Sequence, residues 1–237
     1  MNRELIDALP SFLAYPLARY QGGEGNQAQV LFQILESLLL YVESLLRAQA
    51  KDEFDLGRPG TLGIRIERVL LLSKRLREAQ KHLIVEFIEE DRLDADLSRL
   101  VSFRNKWAHV RGQAVGLSSD ADFGASEGAI ERLLWKVAPV AIAVVSSSQQ
   151  GLTEACKLHG LRGLFDAPLC HIDQPLPSVE EGVLVALAQD QEAILLSPFL
   201  VHARGRFGEN RVKMLARLAG NRVEYYDPLE FFDPPAR

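Results

Sequence analysis

Residues 27–51, QAQVLFQILESLLLYVESLLRAQAK, contain neither Pro nor Gly and set the interpretation of the first half of the chain. Their apolar residues recur at steps of three and four, the spacing of one side of an α-helix. These residues are Val30, Leu31, Ile34, Leu35, Leu38, Leu39, Val42, Leu45 and Leu46. Asn26 can cap the helix, because its side chain can accept a hydrogen bond from a free backbone N–H group. The stretch therefore predicts a long amphipathic helix.

Further helices are expected after the first long helix, whereas residues 1–25 are hard to assign. Pro10 and Pro16 interrupt any long helix in residues 1–25, which could fold onto either part of the protein. After the first long helix, apolar spacing predicts helices over residues 61–78, 82–88, from Asp94 or Asp96 to about Gly112, and 126–146. In the last of these helices, apolar residues surround Trp135, and Pro139 is expected to kink the helix.

The pattern changes after Ser148, where helical periodicity stops and Gly and Pro become frequent. Short apolar runs between turn residues predict antiparallel strands over residues 182–188, 193–201, 211–218 and 222–226. The expected fold class is α+β. Residues 1–150 would form a helical bundle, and residues 151–237 a small antiparallel β-rich module.

Composition is that of an ordinary globular protein, with 237 residues, 47% hydrophobic and 25% charged. The net charge of −5 argues against a strongly basic clamp for nucleic acid, although a local basic site is compatible with it. Two cysteines do not make a disulfide framework. The first residues resemble no signal peptide. We therefore expect a cytoplasmic protein.

The segment with the clearest chemistry is Phe103-Arg-Asn-Lys-Trp-Ala-His-Val110. On a helix, Asn105 and His109 are four residues apart and share one face, while Arg104 lies on an adjacent face. A long Arg side chain can still approach the same cleft. One helix end can therefore present an imidazole, an amide and a guanidinium to a single ligand.

These groups suit the cleavage of RNA, which carries its own nucleophile in the ribose 2′-OH. Histidine transfers protons near neutral pH. Arginine remains charged and binds two phosphate oxygens at once. Asparagine can orient the phosphate or the His. The reaction requires no metal ion or other cofactor.

Arg, Asn, a short spacer and Ala-His at the end of a helix resemble the Arg-x(4–6)-His motif of HEPN domains. The resemblance covers about residues 27–148. It implies a helical bundle that forms a homodimer, with two motifs meeting in one composite, metal-independent endoribonuclease site. Many such domains act in prokaryotic toxin or antiphage defence systems, and cleavage usually leaves a 2′,3′-cyclic phosphate.

By this resemblance, Arg104 would contact the scissile phosphate, His109 would act as acid or base, and Asn105 would support the site. Lys106 and Arg111 are candidate RNA-binding residues. The C-terminal module matches no HEPN element, and it could sense a trigger or bind a protein partner.

Less specific interpretations stay open. The bundle could be a non-catalytic HEPN-fold assembly module that docks a partner effector, or Arg104 and His109 could be an ordinary surface Arg and helix-terminal His. The basic residues of the second predicted helix fit a solvated surface; they are Arg65, Arg68, Lys74, Arg75 and Arg77. Cys156, His159, Cys170 and His171 could suggest zinc, but adjacent ligands are awkward for a tetrahedral site. Two buried cysteines fit better.

Overall fold

A computed structural model describes residues 3–24, 26–51, 62–79, 97–102, 105, 120–147, 157–164, 182–187, 193–206, 209–219 and 222–230. Helices fill the N-terminal part of the described chain, and antiparallel strands fill the C-terminal part. This arrangement confirms the predicted α+β class.

Five helices have defined bounds: α1 Arg3–Ala8, α2 Ser11–Gln21, α3 Gln27–Ala50, α4 Leu62–Glu78 and α5 Asp120–Val137. Residues 97–102 and 105 are also helical, in agreement with the helix predicted there. The helix expected over residues 82–88 lies outside the described residues.

Helix α3 is the centre of the helical part and confirms the prediction made from its apolar spacing. The Asn26 side chain accepts a hydrogen bond from the backbone N–H of Gln29, as expected for its cap. The helix packs against α2, α4 and α5 and also reaches the strands. Among the described helices, α3 alone is long and apolar enough to cross a membrane, but 83% of that window is buried inside the protein. The helix itself is thus as predicted, but it is buried on most sides rather than on one face, unlike the amphipathic helix expected from the sequence.

The N-terminal residues connect the helices to the strands. The backbone N–H of Gly163 donates to the carbonyl of Leu9, and that of Ser11 donates to the carbonyl of Leu161. The Arg162 side chain also donates to the carbonyl of Ala8. The first helices therefore pack with both parts of the chain, which the sequence left undecided.

The helix predicted over residues 126–146 is wrong in its second half. Helix α5 ends at Val137, and strand β1 spans Ala141–Ser147. Pro139 ends the helix rather than kinking it, because proline restricts the residue before it and lacks a backbone N–H. The residues that follow include Val140, Ile142, Val144 and Val145, whose β-branched side chains favour a strand.

In the described residues, two antiparallel sheets follow α5. The first has the order β2-β1-β3-β4, with β2 Lys157–Gly160, β3 Leu184–Leu187 and β4 Ile194–Leu195. The second has the order β5-β6-β7, with β5 Leu200–Arg204, β6 Asn210–Ala219 and β7 Arg222–Tyr226. The strand expected over residues 193–201 is thus divided: β4 pairs with β3, and a turn at residues 197–199 leads into the second sheet. The strands predicted near residues 182–188, 211–218 and 222–226 are confirmed.

One hydrophobic core joins helices and sheets. Leu38 and Leu45 of α3 belong to the same buried cluster as Ile142 of β1 and Met214 of β6. Helix α5 ends at Val137 and β1 spans Ala141–Ser147. The strands therefore begin before the boundary expected near residue 150. The division into domains 1–150 and 151–237 stays a prediction.

Candidate functional site

Most of the predicted catalytic motif lies outside the described residues. Leu97 and Leu100 are buried, and Arg99 is exposed on the same helical segment. Asn105 is helical and exposed. Arg104, Lys106, His109 and Arg111 lie outside the described residues. The described part thus offers one of the five predicted site residues, with its side chain at the surface of a helix.

A second group of charged side chains lies between α3 and α4, and we call it the Glu43 cluster: Glu43, Arg47, Arg65 and Arg68. Arg47 donates from Nε and Nη2 to Oε1 of Glu43 at 3.1 and 3.0 Å. Arg65 Nη1 donates to Oε2 at 3.3 Å. Arg68 Nη1 is 3.6 Å from Oε1, which is an ion-pair distance without a hydrogen bond. One carboxylate thus faces three guanidinium groups.

The four side chains of the Glu43 cluster differ in their exposure to solvent. The side chains of Glu43 and Arg47 are each 7% exposed, whereas those of Arg65 and Arg68 are 14% and 21% exposed. The expected solvated surface of α4 is therefore wrong for Arg65 and Arg68, although Lys74 and Arg75 are exposed. Arg65 and Arg68 form the outer layer of the cluster.

The pKa of Arg65 depends on its burial and on its charged neighbours. Burial lowers the pKa of the Arg65 guanidinium below its ordinary value, and the positive charge of Arg68 lowers it further. The negative charges of Glu43 and Glu36 act in the opposite direction without cancelling the effect of burial. Arg65 nevertheless stays a cation, since arginine side chains are not deprotonated in proteins.

Guanidinium groups fit phosphate and carboxylate oxygens with paired N–H donors. In the Glu43 cluster such donors bind the carboxylate of Glu43, so the cluster is a largely buried ion-pair network. No described group of three or more His, Cys, Asp and Glu residues is placed to hold a metal ion. Of the four residues considered as zinc ligands, Cys156, Cys170 and His171 lie outside the described residues.

Large apolar side chains are exposed on two helices. Ile64 and Leu71 of α4 are seven residues apart and lie on one side of that helix. Trp135 of α5 is 42% exposed, so the residue expected at the centre of an apolar helix face is accessible to solvent. These positions could contact a partner, but such residues occur singly on many protein surfaces.

No protein-family model, curated protein or solved structure matches this chain. The resemblance to HEPN domains therefore depends on the motif in the sequence. The Glu43 cluster was missed by sequence reasoning. Its one local signal is the spacing of Glu43 and Arg47, four residues apart on a helix, which favours an ion pair. The approach of Arg65 and Arg68 depends on how α4 packs.

Proposed function

We propose that this protein is a metal-independent endoribonuclease that acts as a homodimer, with Arg104 and His109 in a composite site. The observation that carries the proposal is the Arg104-Asn105-x3-His109 motif, together with the helical, exposed position of Asn105. The chemistry follows from these residue types. A role in a prokaryotic toxin or antiphage defence system belongs to the same proposal, through the HEPN resemblance.

In the proposed reaction, a His109 imidazole removes the proton of the ribose 2′-OH as the 2′ oxygen attacks phosphorus. The bond from phosphorus to the 5′ oxygen breaks, and an acid returns a proton to that oxygen. Arg104 stabilises the charge that accumulates on the phosphate oxygens. In a dimer, the two His109 side chains could supply the base and the acid. The products are a 2′,3′-cyclic phosphate and a 5′-hydroxyl.

The test is cleavage of a mixed-sequence RNA in EDTA by the wild type, Arg104→Ala and His109→Ala. Arg99→Ala is the matched control, since Arg99 is an exposed arginine five residues before Arg104. We expect cleavage by the wild type and by the control, with losses of at least about a hundredfold in the two motif variants. Undiminished cleavage by His109→Ala would refute the proposed chemistry.

Asn105→Ala separates a role in the site from a role in the fold. Alanine has the higher helix propensity, and Asn105 is exposed, so the variant should be as stable as the wild type or more stable by up to about 0.7 kcal/mol. We nevertheless expect slower RNA cleavage. Full activity in Asn105→Ala would remove Asn105 from the proposed site.

The alternative is a non-catalytic assembly module that binds a protein partner. The exposed Ile64, Leu71 and Trp135 side chains support it. Light scattering of the purified chain, combined with the cleavage assay, separates the two proposals. A monomer without RNA cleavage supports the assembly module, whereas a dimer that loses activity in Arg104→Ala supports the ribonuclease.

A further inference from the structure

Helix α4 packs against α3 on one side and has exposed residues along its other side. On that exposed side, Leu71 is 49% exposed, more than any other large apolar residue in the described part of the chain. Ile64, seven residues earlier, is 37% exposed on the same side of the helix. Covering these two side chains with a second surface would remove apolar area from water, which favours association.

Two charged residues flank Leu71 at equal distances along the helix. Glu67 is four residues before Leu71, Arg75 is four residues after it, and both are exposed. Residues four apart form one ridge on the surface of a helix. Glu67, Leu71 and Arg75 therefore make a ridge with an acidic end, an apolar centre and a basic end, which we call the Leu71 ridge.

The two charges of the Leu71 ridge are free to pair with another surface. Within the described part of the chain, neither Glu67 nor Arg75 forms a salt bridge. They cannot pair with each other, because eight residues correspond to about 12 Å along a helix axis. Glu78 is three residues after Arg75, but its carboxylate lies beside Lys74.

We propose that the Leu71 ridge is a docking surface for a second copy of this chain, with the two ridges side by side in opposite directions. Glu67 of each copy then faces Arg75 of the other, and the two Leu71 side chains meet at the two-fold axis. Such an interface uses the same patch on both copies, so the patch must complement itself. An acidic-apolar-basic ridge does so when it is reversed. Ridges of residues four apart also interdigitate in the commonest class of helix packing.

A second copy fits this surface better than an unrelated protein does. Symmetry supplies the reversed order of charges and the opposing leucine without any further sequence requirement. Docking here needs neither Arg104 nor His109, so the inference goes beyond the proposed cleavage reaction. It rests on the proposed function only in the homodimer, for which it names an interface.

The first experiment measures the dissociation constant of the dimer by sedimentation velocity over a concentration series of the full-length chain. Leu71→Ser is compared with the matched control Leu195→Ser, which changes a 41% exposed leucine on β4. We expect dimerisation to weaken at least about tenfold in Leu71→Ser, because the dimer contains this residue twice at its centre. The control should dimerise as the wild type does.

The second experiment reverses the charges of the Leu71 ridge. Glu67→Arg and Arg75→Glu each place like charges opposite one another, so each variant alone should dimerise at least about tenfold more weakly than the wild type. Mixing the two variants should form a heterodimer, since one copy then carries two basic ridge ends and the other two acidic ones. Native mass spectrometry detects this heterodimer. The double variant Glu67→Arg/Arg75→Glu should dimerise within about threefold of the wild type.

A monomeric wild type would overturn the proposal, as would a dimer that Leu71→Ser leaves intact or charge variants that form no heterodimer. The outcome is separable from cleavage. An intact dimer in Leu71→Ser, with RNA cleavage lost in His109→Ala, would overturn the Leu71 ridge and leave the ribonuclease proposal standing. A dimer lost in Leu71→Ser, with cleavage undiminished in His109→Ala, would do the reverse.

Discussion

Two ion-pair networks of similar burial stand in the two parts of the molecule. In the helical part, Glu43 faces three arginines. In the second sheet, Arg211 lies between two carboxylates: it contacts Glu209 at 2.7 Å and Asp227 at 3.3 Å, and it donates to the carbonyl of Leu229. The sheet network has more negative than positive charge, and the Glu43 cluster has the reverse.

The difference appears in the ionisation of the arginines. Burial alone would lower the pKa of Arg211, but its contacts with Glu209 and Asp227 outweigh burial and raise the pKa above its ordinary value. The pKa of Arg65 is lowered in total. Two carboxylates outweigh the burial of Arg211, whereas the carboxylates near Arg65 do not outweigh its burial and the charge of Arg68. The balance of charges around an arginine thus decides the direction of its pKa shift, even where exposure is similar.

The largest expected effect is that of Glu43→Ala, which leaves three arginine charges without their central carboxylate. Removing one partner of a buried ion pair typically costs about 3–5 kcal/mol of unfolding free energy. Urea denaturation followed by circular dichroism measures it. A loss below about 1 kcal/mol would show that Glu43 does not hold the arginines together.

Arg211→Met should have a smaller effect, about 1–3 kcal/mol, because it removes charged hydrogen bonds but keeps an apolar stem. Glu209 and Asp227 are 15% and 14% exposed, against 7% for Glu43, so water can replace more of the contacts that they lose. The same urea experiment provides the comparison. A loss equal to or larger than that of Glu43→Ala would remove the distinction between the two networks.

Tyr41→Phe tests the opposite side of α3. The Tyr41 hydroxyl is fully buried and has no hydrogen-bond partner among the described residues, and burial raises the pKa of Tyr41. Its ring packs edge-on against Phe12, a contact that phenylalanine retains. We expect the unfolding free energy to rise by about 1 kcal/mol. A decrease of that size would reveal a partner for the hydroxyl.

Lys74→Gln should have the smallest effect, within about 0.5 kcal/mol, because exposed ion pairs contribute little. The Lys74 side chain is 73% exposed, and its Nζ lies 3.9 Å from Oε1 of Glu78. Thermal unfolding at low and high salt measures the change. A larger effect would mean that the exposed end of α4 contributes to stability as the Glu43 cluster does.

Much of the fold follows from sequence periodicity, and the failures have local physical causes. Helix α3 was predictable because a long apolar repeat with a cap has no competing strand interpretation. The residues after Pro139 were misread, since a short apolar run fits either a buried helix or a strand. This segment forms strand β1 because it pairs with β2 and β3. Such pairing depends on residues far apart in the sequence.

The two candidate sites differ in how far the sequence can predict them. Asn105 belongs to a motif of neighbouring residues, so spacing on one helix is enough to suggest its role. Arg65 and Arg68 approach Glu43 from a different helix, so their positions depend on the packing of α4 against α3. Sequence spacing indicates which residues share a helix face, but it does not show which charges a second helix brings there.

The proposed cleavage proceeds through the ribose 2′-OH, with His109 as acid or base. The most direct measurement is the chemistry of the ends that the wild type and His109→Ala produce from one defined RNA in EDTA, identified by mass spectrometry. We expect 2′,3′-cyclic phosphate ends with the wild type and none with His109→Ala. Identical fragments from both proteins, or 5′-phosphate ends, would contradict it.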